Sequence, residues 1–473
     1  MIDTAIASGF LLVLLSLPGF VLLWRREWRR SGGGLFLLSP AFVFYVAYLA
    51  SFAMRPPLQV EGTLQYDFSW TTLDTLLFAQ GGSLLTWYGF VCGYLLTSGR
   101  LEPASGTAGQ VPSDQGLWAA VAYLLSASAS IAFSVALFAL GVFTLDFGTN
   151  RAVYSSSLHG AGHMYLFNLI AGTLLLVGLV CASFCSRPPR LLAGVAWAAY
   201  LVPNILVTNR FLVSAVLFAL MLVFALRRVR SGGAISGSMV VGALLGLSAV
   251  GALLGLVRGL TEGLEYAEER RNPLVFFLWS FDQSEFFQNT LLNIRRFDLG
   301  LSWLEDIAFV FLPRMVFPWK PDTYGAVRLQ VEAMPDSAQP DGTFSATYPI
   351  SIFGEAYVNF GIPGLALVGL ALGFVLKLVF AQTLRAGVEP RYRFWPLLGF
   401  CLYVLVCANS LGYLRSFGWF AATLIFHSTV FAFCYLAVWA LAGLVREIVV
   451  AERGRLVAEP PIEGVEGSGR RPA

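Results

Sequence analysis

Eleven apolar runs of about bilayer-spanning length leave this chain little freedom in what it can fold into. They lie at about 5–24, 35–54, 75–97, 117–140, 164–185, 191–208, 211–226, 238–258, 362–384, 395–412 and 418–441. A helix needs ~20 such residues to cross ~30 Å of hydrocarbon. In lipid each spanning segment must satisfy its own backbone polar groups, so the expected fold is an all-α polytopic membrane protein with about eleven transmembrane helices. Composition agrees: 57% of the 473 residues are hydrophobic and only 12% are charged. That charge content is about half the roughly 25% of a soluble protein and could not cover a water-facing surface. A net charge of +3, thinly scattered, excludes a nucleic-acid partner.

Arginines set the expected orientation, because cytoplasmic loops carry the excess of positive charge. Arg25, Arg26, Arg29 and Arg30 follow the first run; Arg187 and Arg190 follow the fifth; Arg227, Arg228 and Arg230 follow the seventh. Arg385, Arg391 and Arg393 follow the ninth, and Arg446, Arg453 and Arg455 the eleventh. Every odd span thus exits on the basic side, which puts the N-terminus outside and the C-terminus in the cytoplasm. The first run has no basic stretch before it and is read as a span, not a cleaved signal.

This orientation divides the chain into spans one to eight over 1–258, a large extracytoplasmic insert at 259–361, spans nine to eleven over 362–445, and a tail at 446–473. The tail is rich in Glu, Gly, Pro and Arg and is expected to be disordered. No internal repeat of the transporter kind is visible. The six cysteines all fall inside apolar runs, where packing is the expected role, and no metal site is expected. Of the 31 basic residues only Lys320 and Lys377 are lysine, a bias read as codon usage.

The insert is where function is expected. Its first part, 260–271, is charged and helix-prone. The middle, about 280–318, mixes aromatics and aliphatics with Arg295, Arg296, Glu305 and Asp306, which suits short amphipathic helices lying along the outer membrane face or dipping into it. The 319–350 stretch reads as loop, broken by Pro321, Pro335, Pro340, Gly342 and Pro349. Within Phe311–Pro321, Arg314 and Lys320 stand in a proline-stiffened apolar setting where each cation needs a carboxylate or an anionic ligand. Gly354–Gly364 then carries Glu355, Tyr357 and Asn359 into span nine. The alternative is an interfacial anchor, with Trp319, Tyr357 and Phe360 as aromatic belt and the cations reaching headgroups.

Other outer loops add candidates. Arg210 opens span seven after a tight Thr208–Asn209 turn, where a helix N-terminus beside a guanidinium suits phosphate; lipid headgroups would suit it equally. Arg151, His159 and His163 occupy the 141–163 loop, with histidine a candidate base or a hydrogen-bonded loop residue. His427 falls mid-span in run eleven, where packing is expected.

The segment Pro313-Arg314…Pro318-Trp319-Lys320-Pro321, then Ser345…Pro349 and Gly354-Glu355-Ala-Tyr357-Val-Asn359-Phe-Gly361…Gly364, resembles the Wzy-type O-antigen or oligosaccharide repeat-unit polymerases. Arg210 after its Thr-Asn turn is similar to a recurrent feature of that family. The resemblance covers about fifty residues of motif and the plan of many spans with one dominant late outer loop. It implies glycosyl transfer on the outer leaflet, from a glycan on undecaprenyl diphosphate to a hydroxyl of a lipid-linked repeat unit. The implied partners are that lipid-linked oligosaccharide, membrane lipids and a chain-length regulator. No nucleotide, metal or other cofactor is implied, because the donor is already activated. Arg210, Arg314 and Lys320, with Arg151 as a fourth, would stabilise the leaving diphosphate. Glu355 would serve as base, with Asp322 and His159 in reserve. Trp319, Tyr324, Tyr348 and Tyr357 would face the sugars, and Asn359 would bind substrate alongside them. An O-antigen ligase shares the plan, but such ligases resemble one another in a histidine within the large loop, and 259–361 has none. A glycosyltransferase acting on lipid phosphosugars and a flippase for the same lipid-linked sugars are the remaining alternatives.

Overall fold

The computed structural model describes residues 2–31, 33–61, 72–97, 115–141, 162–183, 185, 188–207, 210–231, 235–243, 246, 281–310, 312, 317, 319–321, 323–335, 350–386, 394–408 and 416–458. Among them every regular element is helical. In chain order these are α1 (Ile2–Ser31), α2 (Gly33–Phe36), α3 (Pro40–Leu49), α4 (Arg55–Glu61), α5 (Leu73–Leu96), α6 (Gln115–Ala139), α7 (Gly162–Ser183) and α8 (Arg190–Leu206). There follow α9 (Arg210–Arg230), α10 (Gln283–Asn293), α11 (Leu301–Val310), α12 (Gly325–Ala333), α13 (Ile352–Ala386), α14 (Phe394–Ala408) and α15 (Phe417–Ala458).

Six helical stretches are long and apolar enough to cross a membrane: Ile2–Trp28, Pro40–Val60, Gln115–Ala139, Leu166–Ser183, Ile352–Ala386 and Phe417–Ala451. Arg190–Leu206 and Phe394–Leu405 are apolar but shorter. The expected count of eleven is therefore not reached among the described residues. The run at 75–97 folds as α5, but Gln80, Ser83 and Thr86 dilute its apolar character. Most of the run at 238–258 lies outside the described residues.

The second stretch is not a plain helix. Between α3 and α4 the chain makes a π-helical turn, Ala50–Met54. Such a turn leaves the i→i−4 ladder irregular. The carbonyl of Phe52 is taken by the Gln80 side-chain amide of α5 at 3.0 Å. A buried polar side chain on one helix thus completes the backbone of another.

α5 and α13 run parallel and touch backbone to backbone. Gly89 and Gly93 on α5 lie against Ala366 and Leu370, while Gly369 and Gly373 on α13 lie against Thr86 and Phe90. Both helices present glycine at i, i+4, the small-residue pattern that lets membrane helices approach most closely. A Cβ at any of the four would come within 3 Å of the partner's main chain.

α13 breaks near its start. Phe360 (φ −140°, ψ 15°) and Gly361 (φ +64°) leave helical geometry, and Pro363 follows. Pro363 has no N–H to give the carbonyl of Asn359, four residues back. The carbonyls of Val358 and Asn359 are instead taken by the amides of Asp298 (2.9 Å) and Leu299 (3.2 Å). The kink therefore docks the 294–300 segment onto the head of α13, with α10, α11 and α12 packed at the same end of the bundle.

Two of these helices add to the expectation. α10 is packed inside the protein: Gln283, Ser284, Glu285, Gln288, Asn289 and Thr290 are all buried. Its polar side chains meet polar groups of other helices, which a period-based reading of one segment cannot reveal. α12 forms inside the stretch read as loop, bracketed by Pro321 and Pro335. Its first amides, Gly325 and Ala326, donate to Glu305 (2.7 Å) and Asp306 (3.2 Å), carboxylates that complement a helix N-terminus.

Candidate functional site

α11, the first turns of α13 and the first turn of α15 meet at one point, around Glu355 and Asp306. Glu355 is fully buried. Its Oε2 accepts the amides of Phe417 (2.5 Å) and Gly418 (3.3 Å), so it caps α15 from outside that helix. Ser416 Oγ accepts from the Trp419 amide at 3.0 Å and lies beside both carboxyls. Gly418 is required here, because a side chain would run into the Asp306 carboxyl and the Trp303 backbone.

Burial pushes the Asp306 carboxyl up to about 7, with the Glu305 charge adding to the rise and the Ala326 amide opposing it. Glu355 is close enough to feel the Asp306 charge. Two such neighbouring carboxyls repel each other when both are charged. Two polar atoms at this point have no hydrogen-bond partner among the described residues: Glu355 Oε1 and the indole N–H of Trp303. Trp303 is half-buried and packs against Phe360 (5.3 Å between rings) and Phe417 (4.8 Å). A carboxyl oxygen, an indole donor and aromatic faces are thus buried together where α11, α13 and α15 meet.

The raised value fixes how stability depends on pH. The fold prefers protonated Asp306, so this contribution is complete below the ordinary value of 3.8 and is lost as pH climbs through about 7. The Tm of the detergent-solubilised protein should accordingly fall between about pH 4 and 7, and Asp306→Asn should flatten that fall. An unchanged slope in the variant would assign the pH dependence elsewhere.

An ion-pair network borders the site. Arg328 Nη2 meets Asp298 (2.8 Å), Nε meets Glu305 (3.0 Å) and Nη1 meets Glu332 (3.5 Å). Arg296 holds Glu332 with two bonds, at 2.5 and 3.2 Å. These charges tie α11 and α12 to the segment docked on α13.

The residues singled out from sequence are distributed unevenly. Glu355 stands at the centre. Asn359 is buried and its amide is used internally: Oδ1 accepts from Gly300 (2.7 Å), and Nδ2 donates to Ser302 (2.8 Å) and the Glu355 carbonyl (2.9 Å). Tyr357 packs edge-on against Phe78 at 5.6 Å. Lys320 donates to the Leu312 carbonyl (3.2 Å) and lies 4.8 Å over the Tyr324 ring. Trp319 is 65% exposed. Arg210 is the first residue of α9. Arg151, His159, Arg314, Asp322 and Tyr348 lie outside the described residues. Mid-helix His427 bonds the Thr423 carbonyl through Nδ1 (2.8 Å).

Asp306, Trp303 and Ser416 were not among the chosen candidates. The adjacent pair Glu305-Asp306, three residues after a tryptophan, was the available signal. Comparison with protein-family models, with curated proteins and with solved structures finds no match to this chain.

Proposed function

We propose that this protein polymerises oligosaccharide repeat units carried on undecaprenyl diphosphate at the outer leaflet of a bacterial inner membrane. In this reading the chain has eleven spans, its 259–361 insert faces the periplasm with the N-terminus, and the C-terminus is cytoplasmic. The observation that carries the proposal is the Glu355–Asp306 pair, with its unpartnered carboxyl oxygen and the adjoining Trp303 indole, at the head of two long membrane helices. The acceptor hydroxyl gives its proton to Glu355 as its oxygen bonds the anomeric carbon of the donor. The bond from that carbon to the diphosphate breaks, and its electron pair leaves with undecaprenyl diphosphate. Asp306 shares the proton within the pair. Arg210, Arg314, Lys320 and Arg151 are the cations proposed to stabilise the departing charge. α11 covers Glu355 and must shift for the acceptor to reach Oε1.

Glu355→Gln keeps an oxygen to cap α15 but removes the base. It should lower polymerisation by roughly 100- to 10,000-fold in vesicles supplied with purified lipid-linked repeat units, with little change in Tm. Product ladders on gels give the readout. Ladders of normal length and rate from Glu355→Gln would refute the assignment.

A further inference from the structure

α11 is turned polar side in. Ser302 and Asp306, one turn apart, are buried, and Ser302 Oγ accepts from the Asn359 side-chain amide at 2.8 Å. Leu301, Leu304 and Ala308, at i, i+3 and i+7, form a stripe on the other side and are exposed, Leu304 to 65%. A helix lying on a protein in water shows the reverse, apolar stripe inward and polar side chains out. Glu305, at the edge of the stripe, is held by Arg328 at 3.0 Å.

The chain entering α11 extends the apolar surface. Phe297 and Leu299 are exposed, and the backbone is left-handed at Leu299 (φ +50°) and Gly300 (φ +88°). Asn359 pins that turn, its carbonyl accepting from the Leu299 amide (3.2 Å) and its Oδ1 from the Gly300 amide (2.7 Å). A leucine adopts this conformation only where its surroundings enforce it. Here the enforced turn delivers an apolar side chain to the outside.

α13 sets the depth. From its kink to Arg385 the helix is about 36 Å long at 1.5 Å per residue. With Arg385 at one edge of a ~30 Å hydrocarbon core, Gly361 falls at or just beyond the other. α11 begins at that level, for Phe297 lies against Gly361 and Phe360 against Gly300. It then crosses the heads of two long membrane helices, since Trp303 packs on Phe360 of α13 and Phe417 of α15. An amphipathic helix at such a height sinks its apolar face about 5–10 Å into the acyl boundary. The surface continues into Ile362, Leu367 and Phe374, exposed side chains of a helix long enough to span the membrane. Arg295 stands exposed beside it, as cations at a lipid headgroup layer do.

We propose that α11 is seated in lipid, with Phe297, Leu299, Leu301, Leu304 and Ala308 among the acyl chains of one leaflet and Arg295 at their headgroups. The Glu355–Asp306 pair then has hydrocarbon, not water, beyond the helix that covers it. The assignment rests on the fold alone and is independent of the polymerase reading. Full-length Leu304→benzoylphenylalanine, reconstituted in phosphatidylglycerol vesicles and illuminated, should yield peptides joined to phospholipid through its acyl chain. Leu301→benzoylphenylalanine should do the same. Leu367→benzoylphenylalanine, on an exposed position of α13, sets the yield of a lipid-facing site, which both α11 positions should match. Both are exposed, so the larger side chain displaces no packing, and size-exclusion profiles like that of the unsubstituted protein report the fold. Loss of the acyl adduct at both positions while Leu367 keeps it, attachment through the glycerol headgroup alone, or a covalent dimer in its place would overturn the assignment.

Discussion

Arg55→Ala should destabilise the protein by about 3–5 kcal/mol, the range for removing one partner of a buried ion pair. Arg55, at the end of the π-helical turn, meets Glu285 of α10 at 2.6 Å, with side-chain exposures of 0% and 1%. The lost pairing is the smaller part of that cost. Most of it comes from leaving the Glu285 carboxylate buried without the guanidinium it meets. The double variant Arg55→Met/Glu285→Leu removes both charges at similar volume and should recover most of the loss, as replaced buried pairs often do. Tm values of the solubilised variants measure the difference. If the double variant is as unstable as the single one, the charge account is wrong and packing of α10 is the determinant.

Gly93→Leu should be worse. Overpacking typically costs ~1–3 kcal/mol where side chains can move aside. Here the obstacle is the Leu370 main chain, which cannot yield without separating α5 from α13. The expected result is failure to accumulate in the membrane. Gly81→Ala on the same helix is the control: a methyl there meets nothing within 4 Å, and helix propensity favours alanine by about 1 kcal/mol. Normal yield from Gly93→Leu would mean the two helices do not touch as described.

What could be read in the chain and what could not differ by physical cause. The apolar runs became α1, α3–α4, α6, α7, α13 and α15 because hydrocarbon thickness and backbone satisfaction act on each segment alone. The break at Gly361-Ile-Pro363 was not read from the sequence, where the motif leads straight into span nine. Its consequence, two carbonyls passed to Asp298 and Leu299, depends on residues about sixty positions away. The partners of α10 were hidden for the same reason: its polar side chains are buried against Arg55 and Thr75, more than two hundred residues upstream. Glu355 was found because it sits in a compact motif. Asp306 was passed over because only the fold sets it beside Glu355. Lys377 was dismissed as codon usage, yet it is buried against Glu27 of α1 at 2.5 Å and lies over the Tyr94 ring.

That last pair bears on how the protein is made. Its two members are 350 positions apart in the chain. At roughly 5–20 residues per second, the ribosome needs on the order of 20–70 s to reach the lysine after the glutamate has been translated. Throughout that interval the Lys377 contact is missing, and Glu27 has its own basic neighbours Arg25, Arg26, Arg29 and Arg30 beside it in the chain. The final seating of α1 against α13 is therefore a late event, completed only when a helix made hundreds of residues afterwards delivers the lysine.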